Sequence, residues 1–196
     1  WWERGRLRVQ QVFLSDYPGE RDFLHYIRDA AARFGVFVSY NGKAFDSHVL
    51  ESRFVLSGKT MAVGYQLDLL HVARRLWRGI TADCRLPTIE RHVLGVHRSG
   101  DVPGRLVPDL YFDCLRSSSL GRMPEVFLHN RLDVASLVLL LEAMQRLMTG
   151  RDLGVATNGA ALGDMLLQRG HANAVDVLLG AYQDGDVEAG RLLSLH

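Results

Sequence analysis

Lysine is nearly absent from this chain: Lys43 and Lys59 are its only two, beside 21 arginines in 196 residues. The planar guanidinium fork suits phosphate, but these arginines are dispersed, which fits a base-composition bias of the genome as well. The formal net charge is only +1 at pH 7. No global basic field announces a polyanionic partner, and any nucleic-acid surface has to be a local patch. Cysteine is scarce too. Cys84 and Cys114 form no C-x-x-C pair and have no histidine at zinc-finger spacing, so a disulfide framework and a zinc finger are excluded and reduced thiols in the cytoplasm are the expectation. No apolar run approaches the ~20 residues of a membrane span. Leu137-Val138-Leu139-Leu140-Leu141 is broken at once by Glu142. A secretory signal is lacking as well. The chain starts Trp1-Trp2-Glu3 without a methionine, which suggests that its natural start lies further upstream.

What is present is ample apolar content, 47% of residues, enough for one sizeable core and a small appendage. Trp1-Trp2-Glu3, then Arg4-Gly5, then residues 6–14 read as a β-hairpin. Asp16 offers an N-cap and Pro18 a first helical turn for a helix carrying Phe23, Leu24, Ile27, Ala30 and Ala31 up to Gly35. Residues 36–40 form a short apolar strand of the kind buried on both faces. A helix over 45–56, a strand over 65–69 and a helix over 70–77 continue the alternation that builds an α/β sheet. Short helical pieces follow up to Ser119, and residues 121–148 supply one long helix entered near Pro124. Beyond Gly150, two or three short helices are punctuated by Gly170 and Gly185. They fit the start of a tetratricopeptide-like repeat or a helical cap on the first domain.

Chemistry concentrates in two places. Asp46 opens a helix just after a buried strand, at the carboxyl end where open α/β sheets place ligands. Capping its own helix is the competing role. His129 and Asp133 stand four apart on one helix and point the same way. A neutral imidazole one turn from a metal-bound carboxylate can take a proton from an attacking water, whereas an isolated pair of this spacing is an ordinary solvated helix face. Apolar neighbours from Phe127 to Leu137 set this pair apart from a charged surface stripe.

Tyr40-Asn41-Gly42-Lys43-Ala44-Phe45-Asp46 with Leu50 is followed by Leu67-Asp68-Leu69-Leu70-His71 and Arg74-Arg75-Leu76-Trp77. Leu94-Gly95, Asp101-Val102-Pro103-Gly104, Tyr111 and His129-Asn130-x-x-Asp133 come after them. In order and spacing this set resembles the YprB-type ribonuclease H-like family of the DEDD 3′–5′ exonuclease superfamily. The resemblance covers about residues 1–148. It implies an α/β fold, a ribonuclease H-like mixed sheet flanked by helices over 1–149, with a helical, tetratricopeptide-like segment over 150–196. It also implies that Asp46 and Asp133 are metal ligands of motifs II and III, that His129 holds the general-base position, and that the cofactors are two Mg²⁺ or Mn²⁺ ions. The His-to-Asp spacing of four departs from the pattern, since members with histidine more often have five. Asn41 and Lys43 are the candidate contacts to a nucleic-acid backbone, with a turn role for Asn41-Gly42 equally open. Asp68 reads as ending its strand or capping the next helix, and His71, His92 and His97 as surface or packing residues.

The family's motif I, an Asp-x-Glu on the first central strand, is missing from the amino-terminal part of this sequence. The expectation is therefore a fragment of a two-metal 3′–5′ exonuclease acting on single-stranded DNA or RNA, inactive with two of four carboxylates. The competing function is a non-catalytic nucleic-acid- or protein-binding module on a degenerate nuclease fold, with a protein partner at the carboxyl-terminal helices and no membrane. Asp46, His129 and Asp133 should converge on one cleft. The strands at 36–40 and 65–69 should pair in parallel, while 6–14 is displaced, left as an exposed edge, or closed against 36–40 in a non-family arrangement, and the chain is unstable or prone to aggregate.

Overall fold

The computed structural model describes residues 1–60 and 64–195. The chain forms two compact units, Trp1–Leu67 with Arg98–Leu137 and Asp68–His97 with Val138–His196. The first opens with the hairpin of β1 (Trp2–Glu3) and β2 (Arg6–Leu7), in which Trp2 lies opposite Leu7 and Glu3 opposite Arg6. Arg4 (φ 50°) and Gly5 (φ 75°) both take left-handed conformations, as a two-residue type I′ turn requires.

The second strand stops at Leu7 and does not run to Leu14. Residues 8–14 are held by helices instead of a ladder partner. Gln11 Nε2 donates to the Phe127 carbonyl at 2.8 Å and to Asn130 Oδ1 at 3.0 Å. Phe13 meets Tyr111 and Phe127 edge-on at centroid distances of 5.9 and 5.3 Å. The Tyr111 hydroxyl donates to the Leu14 carbonyl at 3.0 Å. A backbone satisfied this way has less need of strand pairing.

Helix α1 (Glu20–Ala31) begins four residues after the expected cap, because Asp16 Oδ1 accepts from the Gly19 N–H at 2.8 Å and shapes the preceding turn. Leu24 and Ala31 bury its inner face. An Arg53–Glu20 ion pair ties it to α2 (Asp46–Leu56), which is anchored by the buried Phe54. Strands β3 (Val36–Ser39) and β4 (Tyr65–Asp68) form their own two-stranded sheet. Their starts lie side by side, the Tyr65 N–H donating to the Gly35 carbonyl at 3.0 Å, and the pairing is parallel as expected. Burial on both faces is not found: Val36 is 56% and Tyr65 83% exposed. Parallel strands are buried by neighbours and crossover helices on both faces, and among the described residues this sheet has two strands. The rest of the first unit's core gathers Val102, Cys114, Met123 and Val126 between α5 (Val107–Ser117) and the start of α6 (Met123–Met148).

In the second unit, Asp68 caps α3 (Leu69–Trp77), its carboxylate accepting from the Leu70 N–H at 3.0 Å. Leu69, Leu70, Ala73, Leu76 and Trp77 are buried on that helix, and Leu140, Ala143, Met144 and Leu147 on the later turns of α6. Helix α4 (Leu86–Ile89) runs into a π-helical turn (Glu90–Leu94) that ends at Gly95, φ 65°. Three short helices follow, α7 (Gly159–Leu167), α8 (Ala174–Gln183) and α9 (Val187–Leu193), packed around Ala160, Leu178 and Ala189. Gly163 lets α7 approach α8 closely, since a Cβ there would stand 2.5 Å from Leu178 Cγ. Among the described residues no helix is long and apolar enough to cross a membrane.

Candidate active site

The turn after β3 is built by Asn41 and Gly42. Asn41 takes φ 63°, a conformation its short polar side chain tolerates. Gly42 is enclosed: a Cβ there would fall 2.6 Å from Ser39 Cβ and 3.4 Å from Asp46 Oδ2. The Gly42 carbonyl accepts from the Phe45 and Ser47 N–H groups at 3.3 and 2.9 Å, which starts α2. Asp46 is the first residue of that helix. Phe45, with no capping side chain, holds the N-cap position, so Asp46 does not occupy it. Its carboxylate leans back over the turn, and Asn41, Lys43 and Asp46 are all exposed there.

On α6, His129 and Asp133 meet as their spacing requires, Nε2 lying 3.4 Å from Asp133 Oδ2. Asp101, quoted above as part of the Asp101–Gly104 run but given no role, and Arg98, which sequence reasoning did not single out, close the group into a ring. Asp101 Oδ1 stands 2.8 Å from His129 Nδ1, and Arg98 Nη1 donates to Asp101 Oδ2 at 3.2 Å and to Asp133 Oδ1 at 2.6 Å. Arg98 is the most buried member, its side chain 8% exposed against 19–30% for the other three. The segment is pinned by Val102, which is buried in the core of the first unit.

The electrostatics of this ring follow from its members. Burial alone would raise the Asp101 carboxyl, but hydrogen bonds from His129 and Arg98, and the charges behind them, outweigh it and hold Asp101 below the ordinary carboxylate value. An ionised carboxylate only accepts hydrogen bonds, so Asp101 can receive one from the ring nitrogen that faces it when that nitrogen carries a proton. Arg98 partly neutralises Asp101 and Asp133 together.

Asp46 and Asp133 are hard oxygen donors of the type that Mg²⁺ and Mn²⁺ take. The set is not complete by itself. Among the described residues no group of three or more His, Cys, Asp or Glu side chains is placed to hold a metal ion, and Asp133 already accepts from Arg98. Carboxylates of this kind hold such ions only within a larger ligand set. The sequence does contain Asp186-Val187-Glu188, but Asp186 caps α9 by accepting from the Glu188 and Ala189 N–H groups and Glu188 pairs with Arg191 at 2.6 Å. That Asp-x-Glu is a helix start. His92 is a packing residue, its Nε2 2.8 Å from the Ala156 carbonyl and its ring against Trp77.

A family model of the ribonuclease H superfamily matches residues 1–145. The uncharacterized protein YprB of Bacillus subtilis (strain 168) is 39% identical over 145 residues, which cover 72% of this chain and 35% of that protein. The chain thus spans about a third of the length of this curated relative. No solved structure matches it significantly. With a parallel βαβ unit, an aspartate opening the helix after the first of its strands, and a His-x-x-x-Asp pair on a long later helix, the chain belongs to the ribonuclease H superfamily as a YprB-type ribonuclease H-like domain.

Proposed function

We propose that this chain supplies part of the active site of a metal-dependent 3′–5′ exonuclease acting on single-stranded DNA or RNA. The observation that carries the reading is the meeting of His129 and Asp133 on α6, Nε2 to Oδ2 3.4 Å, inside the region matched to the superfamily. Asp46 and Asp133 bind divalent ions together with carboxylates that this chain lacks. Held there, such ions would supply Lewis-acid stabilisation of the charge that develops on the scissile phosphate. His129 takes a proton from the attacking water at Nε2, and Asn41 and Lys43 hold the backbone of the strand through its phosphates, without reading sequence. Residues 1–149 form the nuclease domain and 150–196 a tetratricopeptide-like extension that docks a protein. With two of four metal carboxylates, the chain alone is inactive.

A second reading, a non-catalytic nucleic-acid- or protein-binding module, is favoured by the buried guanidinium of Arg98 on Asp133. The two are separated by assaying the protein expressed from the natural open reading frame that contains this chain on end-labelled single strands, with Mg²⁺, Mn²⁺ or a chelator. Metal-dependent shortening from the 3′ end, lost in Asp133→Ala, is the expected result. Binding without cleavage, or cleavage unchanged in Asp133→Ala, would sink the nuclease reading.

A further inference from the structure

We propose that Asp101 is a positioning residue that fixes His129 as the Nδ1–H tautomer and so leaves the Nε2 lone pair on the side of Asp133. The inference rests on the reading of His129 as the general base. The two ring nitrogens have unequal partners. Nδ1 is 2.8 Å from Asp101 Oδ1, the length of a charge-assisted hydrogen bond, whereas Nε2 is 3.4 Å from Asp133 Oδ2. Only one nitrogen of a neutral imidazole carries a proton, and the stronger acceptor contact decides which.

The rest of the ring keeps Asp101 in place for this task. Its second oxygen, Oδ2, accepts from Arg98 Nη1 at 3.2 Å, and the same nitrogen donates to Asp133 Oδ1 at 2.6 Å. Arg98 is held by burial and sets the separation of the two carboxylates that flank the imidazole. Val102 roots the chain beside Asp101 in the core. When Nε2 takes the proton of a water, the resulting imidazolium keeps its Nδ1–H bond to Asp101, so the new positive charge forms between carboxylates that are already oriented. A solvated i, i+4 pair would need neither Asp101 nor Arg98.

The test is long-range ¹H–¹⁵N correlation NMR on the ¹⁵N-labelled full chain at about pH 8, above the ordinary histidine range, with His129→Gln to assign the ring. A protonated Nδ1 and a bare Nε2 are expected. A proton on Nε2, or protons on both nitrogens, overturns the proposal whatever any variant does. In Asp101→Asn the amide can turn its NH₂ toward Nδ1, so the proton is expected to move to Nε2. In the protein from the natural open reading frame, the same substitution should lower kcat by about 100-fold or more with KM little changed. An unmoved tautomer, or an unmoved kcat in an enzyme that Asp133→Ala inactivates, also refutes the positioning role. Absence of nuclease activity in the unsubstituted protein would instead refute the functional reading, and the tautomer of His129 would still decide this one.

Discussion

Replacing Arg98 by methionine keeps the aliphatic stem and removes the guanidinium that bridges Asp101 and Asp133. Each charge-assisted hydrogen bond is worth about 1.5–3 kcal/mol, so the two together set an upper range of about 3–6 kcal/mol. The two carboxylates keep 21% and 30% of their side-chain surface in water and can resolvate in part. That reduces the expected loss to about 2–3 kcal/mol, below the cost of orphaning a fully buried ion. For a chain of this size the melting temperature should fall by about 5–10 °C. Urea unfolding followed by circular dichroism measures the loss, with amide exchange over residues 127–133 as the local readout, because two compact units need not unfold together. The pH dependence has a fixed sign. Asp101 titrates below its ordinary value in the folded state, so its contribution is complete above the unfolded carboxylate pKa of about 3.9 and is lost as pH falls through the depressed folded value. The gap between wild type and Arg98→Met should therefore narrow in strong acid, as Asp101 is protonated. A loss under about 0.5 kcal/mol would mean that the ring behaves like an exposed surface pair and holds nothing in place.

Gly163→Ala would put a methyl group 2.5 Å from Leu178 Cγ, and the second unit should lose about 1–3 kcal/mol, visible as an earlier transition; an unchanged one would show that α7 and α8 separate freely. The exposed apolar residues on the β3–β4 sheet, Val36, Tyr65 and Leu67, should drive concentration-dependent association of this chain. Light scattering should show that association reduced by Leu67→Lys, and equal scattering from both proteins would contradict it.

The elements with strong periodicity were legible before any coordinates. The helices at Asp46–Leu56, Leu69–Trp77 and Met123–Met148 stand where apolar spacing put them, and Asp68 caps its helix as an aspartate between a strand and a helix can. His129 and Asp133 meet because 3.6 residues per turn bring i and i+4 together. Residues 8–14 misled because an apolar-rich, β-prone run signals a strand without telling whether a ladder partner exists. Arg98 escaped notice, and Asp101 was noted only within its motif and given no role, because both lie outside any regular element, where no period predicts direction. The available signal was their spacing of three around Gly100, whose φ of 72° turns the chain so that both side chains reach α6.

The central claim is that Asp46 and Asp133 bind divalent ions in one site, and the most direct measurement is anomalous scattering from Mn²⁺ soaked into crystals of the protein expressed from the natural open reading frame containing this chain. The account predicts ions about 4 Å apart, with oxygens of both Asp46 and Asp133 at about 2–2.5 Å. Carboxylates more than about 10 Å apart, too far to serve one such pair of ions, or manganese bound elsewhere while both aspartates stay unligated, would contradict it.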